Sequence, residues 1–204
     1  MASITHISQK LRIAISRVFG IAIVLLVIFS GPSFTINVWA NAALDLFCFA
    51  LILTATFGRL WALAYISGHK TRDLISDGPY SMVRNPLYLF SLIGALGIAL
   101  VSKNILVIAL IIILFCIYYP FVIRGEEKHL QEVHGKAFED YKKKTPMFLP
   151  SSSAFTEQPF YSFDTRLFRK AFFSVMWFPI IFMLMLLVER FHLAGILPVF
   201  LRIP

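Results

Sequence analysis

The sequence predicts an all-α protein, a multi-span transmembrane helical bundle with a charged helical cap on one side of the membrane. Hydrophobic residues make up 58% of the 204 residues and charged residues only 15%, whereas soluble domains have about 25% charged residues. The mean hydropathy is +0.78. The apolar residues are gathered into five runs, and positive charges flank these runs. These observations predict an integral, multi-pass membrane protein.

The five apolar runs predict five spans, at about residues 12–30, 42–66, 87–101, 105–123 and 171–188. A spanning helix needs about 20 residues, so the short first run is extended by the apolar residues just before it. The turn at 102–104 joins the third and fourth spans into a helical hairpin. An alternative for the N-terminal part is a signal peptide with residues 40–42 as its cleavage site.

The distribution of positive charge predicts the orientation. With the N-terminus in the cytosol, 16 of the 19 Lys and Arg residues lie on the cytosolic side of the five spans, as the positive-inside rule requires. The C-terminus then lies on the opposite side. Residues 124–150 form a cytosolic cap that completes a membrane core of residues 1–150. Residues 151–204 add a linker, the fifth span and an interfacial tail.

Several other function classes find no support in the sequence. The topology explains the net charge of +8, so we expect a lipid bilayer rather than nucleic acid as the partner. Cys48 and Cys116 lie inside apolar runs, where burial is the expected role of a free thiol. The chain has no CxxC, HExxH or Walker motif, and no metal site is predicted. The sequence assigns no oligomeric state.

A first polar cluster is the segment 78–88, GPYSMVRNPLY, which leads into the third apolar run. Its Gly-Pro pair predicts a sharp turn. Asn85 is placed to cap the following helix with its side chain, and Pro86 suits the first helical position. The helix N-terminus and the guanidinium of Arg84 together suit an anionic group such as a carboxylate.

The aromatic residues of this segment, Tyr80 and Tyr88, present ring faces that attract cations. A structural explanation competes with binding, since Arg84 would also anchor a helix at lipid phosphates and tyrosines populate the interfacial aromatic belt. For Arg59 in the second span, a binding role and a structural role are again both open. An intramembrane charge marks a functional site by default, which would make Arg59 a substrate-binding residue, yet a long side chain also snorkels to the interface.

A second polar cluster, with Arg124, Glu126 and Glu127, follows the fourth run. Neighbouring helical residues point about 100° apart, so one carboxylate is expected to face a pocket while the other turns to solvent or to Arg124. The inward carboxylate would suit an ammonium group. The alternative is a solvated helix surface on which Glu126 pairs with Lys128.

Aromatic residues continue beyond this cluster. Phe138 and Tyr141 lie three residues apart on one helical face, and prolines stiffen the segment around Phe148. These groups would cap a cofactor over the membrane face, or the helix would lie on the bilayer as an amphipathic element. The two descriptions are compatible.

The ordered pattern resembles the isoprenylcysteine carboxyl methyltransferase and phospholipid methyltransferase superfamily over about residues 55–150. It comprises Leu74, the segment 78–88, a helical hairpin, the acidic pair and the segment 130–150. Members of this superfamily are multi-span membrane enzymes that use S-adenosylmethionine. The family often has histidine where this chain has Asn85, which can hydrogen-bond but cannot take up a proton.

The resemblance implies a site for S-adenosyl-L-methionine, with Glu127, Glu126 and Arg84 as the catalytic groups. The residues implied to line or support the cofactor are Leu74, Gly78, Pro79, Tyr80, Arg84, Asn85, Tyr88, Glu126, Glu127, Tyr141 and Phe148. Arg84 and the helix start suit the cofactor carboxylate, a glutamate suits its ammonium, and a tyrosine face suits its sulfonium. Tyr141 or Phe148 suits the adenine.

Methyl transfer would then need mainly alignment and exclusion of water. The acceptor would enter from the bilayer, and a prenylcysteine-like carboxylate, a phospholipid and other membrane-dissolved small molecules all fit. A carboxylate needs no general base, whereas an amine or hydroxyl needs one, for which Glu126 or Glu127 is the candidate. Two alternatives belong to other classes: an NADPH-dependent membrane reductase related to sterol reductases, and a non-enzymatic membrane scaffold.

Overall fold

A computed structural model describes residues 18, 20–34, 36–67 and 73–200 of the chain. Within these ranges the protein is helical and contains no β-strand, which confirms the predicted all-α class. Three predictions lie outside the described residues: the basic N-terminal segment with the start of the first span, the loop basic residues Lys70 and Arg72, and the end of the tail at 201–204.

The structure extends the apolar runs into longer helices than the sequence predicts. Among the described residues, three helices are long and apolar enough to cross a membrane, and two shorter apolar helices accompany them. The helices are α1 (Gly20–Phe29), α2 (Val38–Ile66), α3 (Pro79–Met82), α4 (Pro86–Val101), α5 (Ile105–Ile113), a π-helical turn (Leu114–Tyr118), α6 (Tyr119–His134), α7 (Lys136–Lys144), a 3-10 turn (Ser152–Ala154), α8 (Thr165–Val175) and α9 (Trp177–Leu193).

Two of the long helices each consist of several consecutive helical segments. The helix from Ile105 to His134 is continuous, so the acidic pair belongs to the same rod as the fourth apolar run. The helix Thr165–Leu193 is likewise continuous through α8 and α9. Residues 40–42, which the signal-peptide alternative takes as a cleavage site, lie in the first turn of α2.

Side-chain caps explain where several helices begin. Asn37 accepts a hydrogen bond from Ala40 N at 2.8 Å before α2. Asn104 accepts from Leu106 N at 3.0 Å before α5, and Asp164 likewise caps α8. Each cap satisfies backbone N–H groups that have no partner within their own helix.

The centre of the bundle is the close contact of α2 with α4. A Cβ at Gly97 would lie 3.2 Å from the Cys48 carbonyl oxygen, and one at Gly94 would lie 2.4 Å from the Phe178 ring. Small residues at these positions therefore let the helices approach closely, as is common in membranes. Ile52 of α2 lies in the same buried core.

A buried charge network ties the helices together at the end of α4. The ammonium of Lys103 lies 2.6 Å from Glu189 Oε1 and 3.5 Å from Asp45 Oδ1, and its side chain is only 3% exposed. This network joins α2, the α4–α5 turn and α9. It lies at the opposite end of α4 from the segment 78–88.

Candidate active site

The two polar clusters of the sequence meet at one point, where α4 begins beside α6. Arg84 Nε lies 3.1 Å from Glu127 Oε1, and the two side chains are 9% and 11% exposed. Asn85 Nδ2 donates to the same oxygen at 3.4 Å. Lys142 Nζ lies 3.7 Å from Glu127 Oε2. We call Arg84, Asn85, Glu127 and Lys142 the charged cluster.

The segment that follows α7 holds this cluster in place through its backbone. Arg84 N donates to the Pro146 carbonyl at 2.9 Å, and the Arg84 guanidinium donates to the Lys142 carbonyl at 2.8 Å. Asn85 Nδ2 donates to the Met147 carbonyl at 3.2 Å. The end of the predicted cap is thus fastened onto the segment 78–88 rather than being separate from it.

The predicted capping role of the Asn85 side chain is wrong. Asn85 does occupy the N-cap position with Pro86 following at the start of α4, but its side chain makes no capping hydrogen bond. Only its backbone carbonyl accepts, from Tyr88 N and Leu89 N at 3.1 Å. The amide is drawn instead to Glu127 and Met147, which compete with the local cap.

The structure separates the roles of the two glutamates. Glu127 is buried and faces Arg84, while Glu126 is partly buried and interacts electrostatically with Tyr80. The two neighbouring carboxylates therefore face different surroundings, as the helical geometry predicts. The sequence alone did not say which of them joins the charged cluster.

The turn before the cluster depends on Gly78. Its φ is +58°, in the region that favours glycine, and its N–H donates to the Thr156 carbonyl at 2.7 Å. Pro79 follows as the buried first residue of α3. The Tyr80 carbonyl accepts a hydrogen bond from the Tyr141 hydroxyl at 2.7 Å. Tyr141 is thereby placed against the turn, and its predicted role in capping a cofactor stays a prediction.

Burial also fixes the protonation of these two phenols. Removal from water raises the pKa of Tyr80 and of Tyr141 above the ordinary value. Both hydroxyls therefore stay protonated at neutral pH and act as hydrogen-bond donors.

Replacing Gly78 with alanine should disturb the site far more than the same change at Gly135. Both glycines have positive φ, but a Cβ at Gly78 would lie 2.3 Å from the Tyr65 ring, whereas one at Gly135 meets nothing within 4 Å. We expect a loss of about 1–3 kcal/mol in unfolding free energy beyond that of the control. Denaturant unfolding of Gly78→Ala and Gly135→Ala checks this, and equal losses would contradict it.

An aromatic group that the sequence analysis missed lies beside Tyr88. The Tyr88 and Tyr119 rings contact edge to face at 5.3 Å, and Phe115 stacks on Tyr119 at 4.1 Å. Phe115 belongs to the π-helical turn Leu114–Tyr118, a distortion that is frequent at functional sites. The available signal was the Tyr118-Tyr119-Pro120 triplet at the end of the fourth apolar run.

Arg59 reaches the start of α4 from α2. Its guanidinium donates to the Leu87 carbonyl at 3.1 Å and to the Ser91 hydroxyl. It lies 5.7 Å from the centre of the Phe178 ring. Arg59 therefore contacts α4 and the Phe178 ring of α9.

Residues 151–164, which we call the strap, dock on the segment 78–88. Ser151 N donates to the Met82 carbonyl at 3.0 Å, and Thr156 N donates to Ser81 Oγ at 3.0 Å. Leu74 and Phe148 are partly buried in the loops before α3 and after α7. Side chains of the strap also take part, since Glu157 accepts from the Tyr65 hydroxyl at 2.8 Å and the Tyr161 hydroxyl donates to the Tyr65 carbonyl at 2.6 Å.

Comparisons with known proteins identify the family of the chain. The model of the phospholipid methyltransferase family matches residues 19–137. The chain is 35% identical over 193 residues to a nickel-cobalt-cadmium resistance protein of Alcaligenes xylosoxydans xylosoxydans, which covers 95% of this chain and 90% of the relative. It is 32% identical over 186 residues to a cobalt-zinc-cadmium resistance protein of Cupriavidus metallidurans, which covers 91% of this chain and 85% of the relative.

A third relative has the name of an enzyme. The chain is 28% identical over 128 residues to the protein-S-isoprenylcysteine O-methyltransferase of Schizosaccharomyces pombe, which covers 58% of this chain and 54% of the relative. No solved structure matches the chain significantly. The residues matched by the family model include the segment 78–88 and the acidic pair. The resemblance is confirmed: this membrane protein belongs to the phospholipid methyltransferase family.

Proposed function

We propose that the protein transfers a methyl group from S-adenosylmethionine to a lipophilic acceptor at the cytosolic face of the membrane. The observation that carries this proposal is the charged cluster, in which Arg84, Asn85 and Glu127 meet from opposite halves of the sequence pattern. Buried charges are expensive unless they are paired. We therefore attribute the presence of these charged groups beside a helix start to a ligand rather than to stability alone.

The donor set fits the polar end of the cofactor. With Arg84 and Lys142 against Glu127, the charged cluster has a net positive charge, and the N-terminal end of α4 adds the partial positive charge of the helix dipole. Arg84 Nε is buried and makes no hydrogen bond of normal geometry. These features suit the carboxylate of S-adenosylmethionine.

The remaining groups of the cofactor find partners nearby. Glu126, which is partly buried and interacts electrostatically with Tyr80, is the carboxylate that we assign to the cofactor ammonium. The rings of Tyr80 and Tyr88 suit a positively charged sulfur, and Tyr141 or Phe148 suits the adenine. When bound, the cofactor supplies an activated methyl group. The residues bind and align it and exclude water.

The positive residues around the site support the cytosolic location that we propose for it. Lys142, Lys143 and Lys144 end α7 next to the charged cluster, and Arg124 lies one turn before Glu127. Positive residues concentrate on the cytosolic side of membrane proteins. The soluble cofactor would therefore reach the site directly from the cytosol.

Ligand-induced thermal stabilisation of the purified protein tests this function. We expect S-adenosylhomocysteine to raise the melting temperature, because a ligand that binds only the folded state stabilises it by mass action. Stabilisation by NADPH instead would favour the reductase. Nickel and cobalt ions, suggested by the names of two relatives, form a third arm, and stabilisation by these ions alone would favour a metal-binding role. No stabilisation by any probe would favour the scaffold.

A further inference from the structure

Arg59 carries a charge that the bundle leaves partly unsatisfied. Its terminal nitrogen donates to Leu87 and Ser91, but its Nε is buried and has no hydrogen-bond partner within the described part of the chain. Among the described residues, no carboxylate lies within 4.0 Å of this guanidinium. A buried arginine without a counter-ion is costly, and such groups in membrane proteins generally serve function.

A second unpartnered donor lies in the π-helical turn. The hydroxyl of Tyr118 is buried and has no hydrogen-bond partner among the residues that the structure describes, and its ring contacts that of Tyr119 edge to face at 5.9 Å. Buried hydroxyls are normally satisfied, and an orphan needs an explanation. A bound ligand that accepts a hydrogen bond would supply one.

The two orphan donors share one neighbourhood. The phenol of Tyr119 interacts electrostatically with both Arg59 and Tyr118. Tyr119 in turn contacts Tyr88, which follows Leu87, the residue that binds Arg59. Both donors therefore lie near the ring of Tyr119, which adjoins the site proposed for the cofactor through its contact with Tyr88.

We infer that Arg59 and Tyr118 bind the methyl acceptor, and that this acceptor is an oxyanion on a lipophilic chain rather than an amine. The inference rests on the proposed function. Both groups donate hydrogen bonds and Arg59 is positively charged, so they attract a carboxylate or another oxyanion and repel an ammonium. The ammonium group of a phospholipid would meet the like charge of Arg59 here.

The chemistry of the charged cluster agrees with an oxyanion. An ammonium must lose a proton before it can accept a methyl group, and this needs a general base. Glu127 is poorly placed for that task because both of its side-chain oxygens already have cationic partners, Arg84 and Lys142. An oxyanion reacts without a base: the oxygen–carbon bond forms, the sulfur–carbon bond breaks and its electron pair returns to sulfur. The acceptor leaves as a neutral methyl ester or ether.

Competition between two amphiphiles of equal chain length tests the inference. The full-length protein in phosphatidylcholine nanodiscs is titrated with dodecanoate and with dodecylamine, in the presence of S-adenosylhomocysteine. We expect tighter binding of dodecanoate by wild type, and a loss of about 10- to 100-fold in Arg59→Gln. Tyr118→Phe, which removes only the hydroxyl, should lose less. Arg169→Gln, at an exposed arginine of α8, should bind as wild type does.

The outcomes separate the inference from the proposed function. If Arg59→Gln binds S-adenosylhomocysteine normally and loses dodecanoate, the inference is supported. Tighter binding of dodecylamine by wild type, or unchanged dodecanoate binding in both Arg59→Gln and Tyr118→Phe, would overturn it alone. Loss of S-adenosylhomocysteine binding in Arg59→Gln would move Arg59 to the cofactor and also overturn it. Failure of wild type to bind S-adenosylhomocysteine would overturn the proposed function itself.

Discussion

Replacing Glu127 with alanine should abolish cofactor binding and lower the unfolding free energy by about 3–5 kcal/mol, the usual loss when one partner of a buried ion pair is removed. The reason is that Arg84 would remain buried with its charge uncompensated, and Asn85 would lose one of its two acceptors. Denaturant unfolding measures the stability. Isothermal titration with S-adenosylhomocysteine, on protein shown by circular dichroism to be folded, measures the binding.

Two further variants make this prediction specific. Glu132→Ala removes an exposed glutamate from the same helix and should leave stability and binding unchanged. Glu127→Gln keeps the shape and the hydrogen bond from Asn85 but not the charge. Its losses of stability and of cofactor binding should therefore be smaller than those of Glu127→Ala and larger than those of Glu132→Ala. Full cofactor binding by Glu127→Ala, or equal effects of Glu127→Ala and Glu132→Ala, would contradict the assignment of the charged cluster.

Replacing Lys103 with methionine should destabilise the protein by a similar amount, about 3–5 kcal/mol, without affecting cofactor binding. The ammonium is the shared partner of Asp45 and Glu189, and its loss would leave two partly buried carboxylates without their cation. Lys103 has a positive φ, and methionine would meet the same backbone restriction, so the comparison isolates the charge. We expect thermal unfolding to shift by roughly 10 °C.

The charge network at Lys103 supplies its own controls. Arg190→Met, at the exposed neighbour of Glu189, should have little effect. Adding Glu189→Gln to Lys103→Met should restore part of the lost stability, because it removes one of the uncompensated carboxylates. A Lys103→Met protein as stable as wild type would mean that the network contributes nothing. Reduced binding of S-adenosylhomocysteine at low temperature would mean that the two ends of α4 are coupled.

Much of the helical architecture was predictable because apolar runs of this length admit few other structures in a membrane. The turn around Lys103 was predicted from three polar residues between two apolar runs. Its pairing with Asp45 and Glu189 was not, because these residues are separated by 58 and 86 positions along the chain. Such contacts depend on how helices pack, which hydropathy does not specify.

In the candidate site, too, some features were predictable from the sequence and others were not. The pattern around Arg84 and the acidic pair indicated that two segments belong together, and the structure brings Arg84 and Glu127 into contact. The Asn85 side chain departed from its expected cap because a buried carboxylate and the Met147 carbonyl were available to it. Local sequence rules describe a residue's nearest neighbours and cannot see such distant competitors.

Tyr119 and the strap were missed for a different reason. Tyr119 reads in the sequence as one more aromatic residue at the end of an apolar run, and only its contacts with Tyr88 and Phe115 mark it. The strap is held by backbone hydrogen bonds to Gly78 and Met82 and by hydrogen bonds of its own side chains with Asp77 and Tyr65, which lie 81 to 96 positions away along the chain. Local sequence patterns do not specify contacts over such separations.

The most direct measurement of the central claim is transfer of label from methyl-labelled S-adenosylmethionine to a membrane lipid extract. Wild-type protein and Glu132→Ala should place label in the material extracted by organic solvent, and Glu127→Ala should not. Failure of the wild-type protein to label any lipophilic material, together with no binding of S-adenosylhomocysteine, would contradict the account.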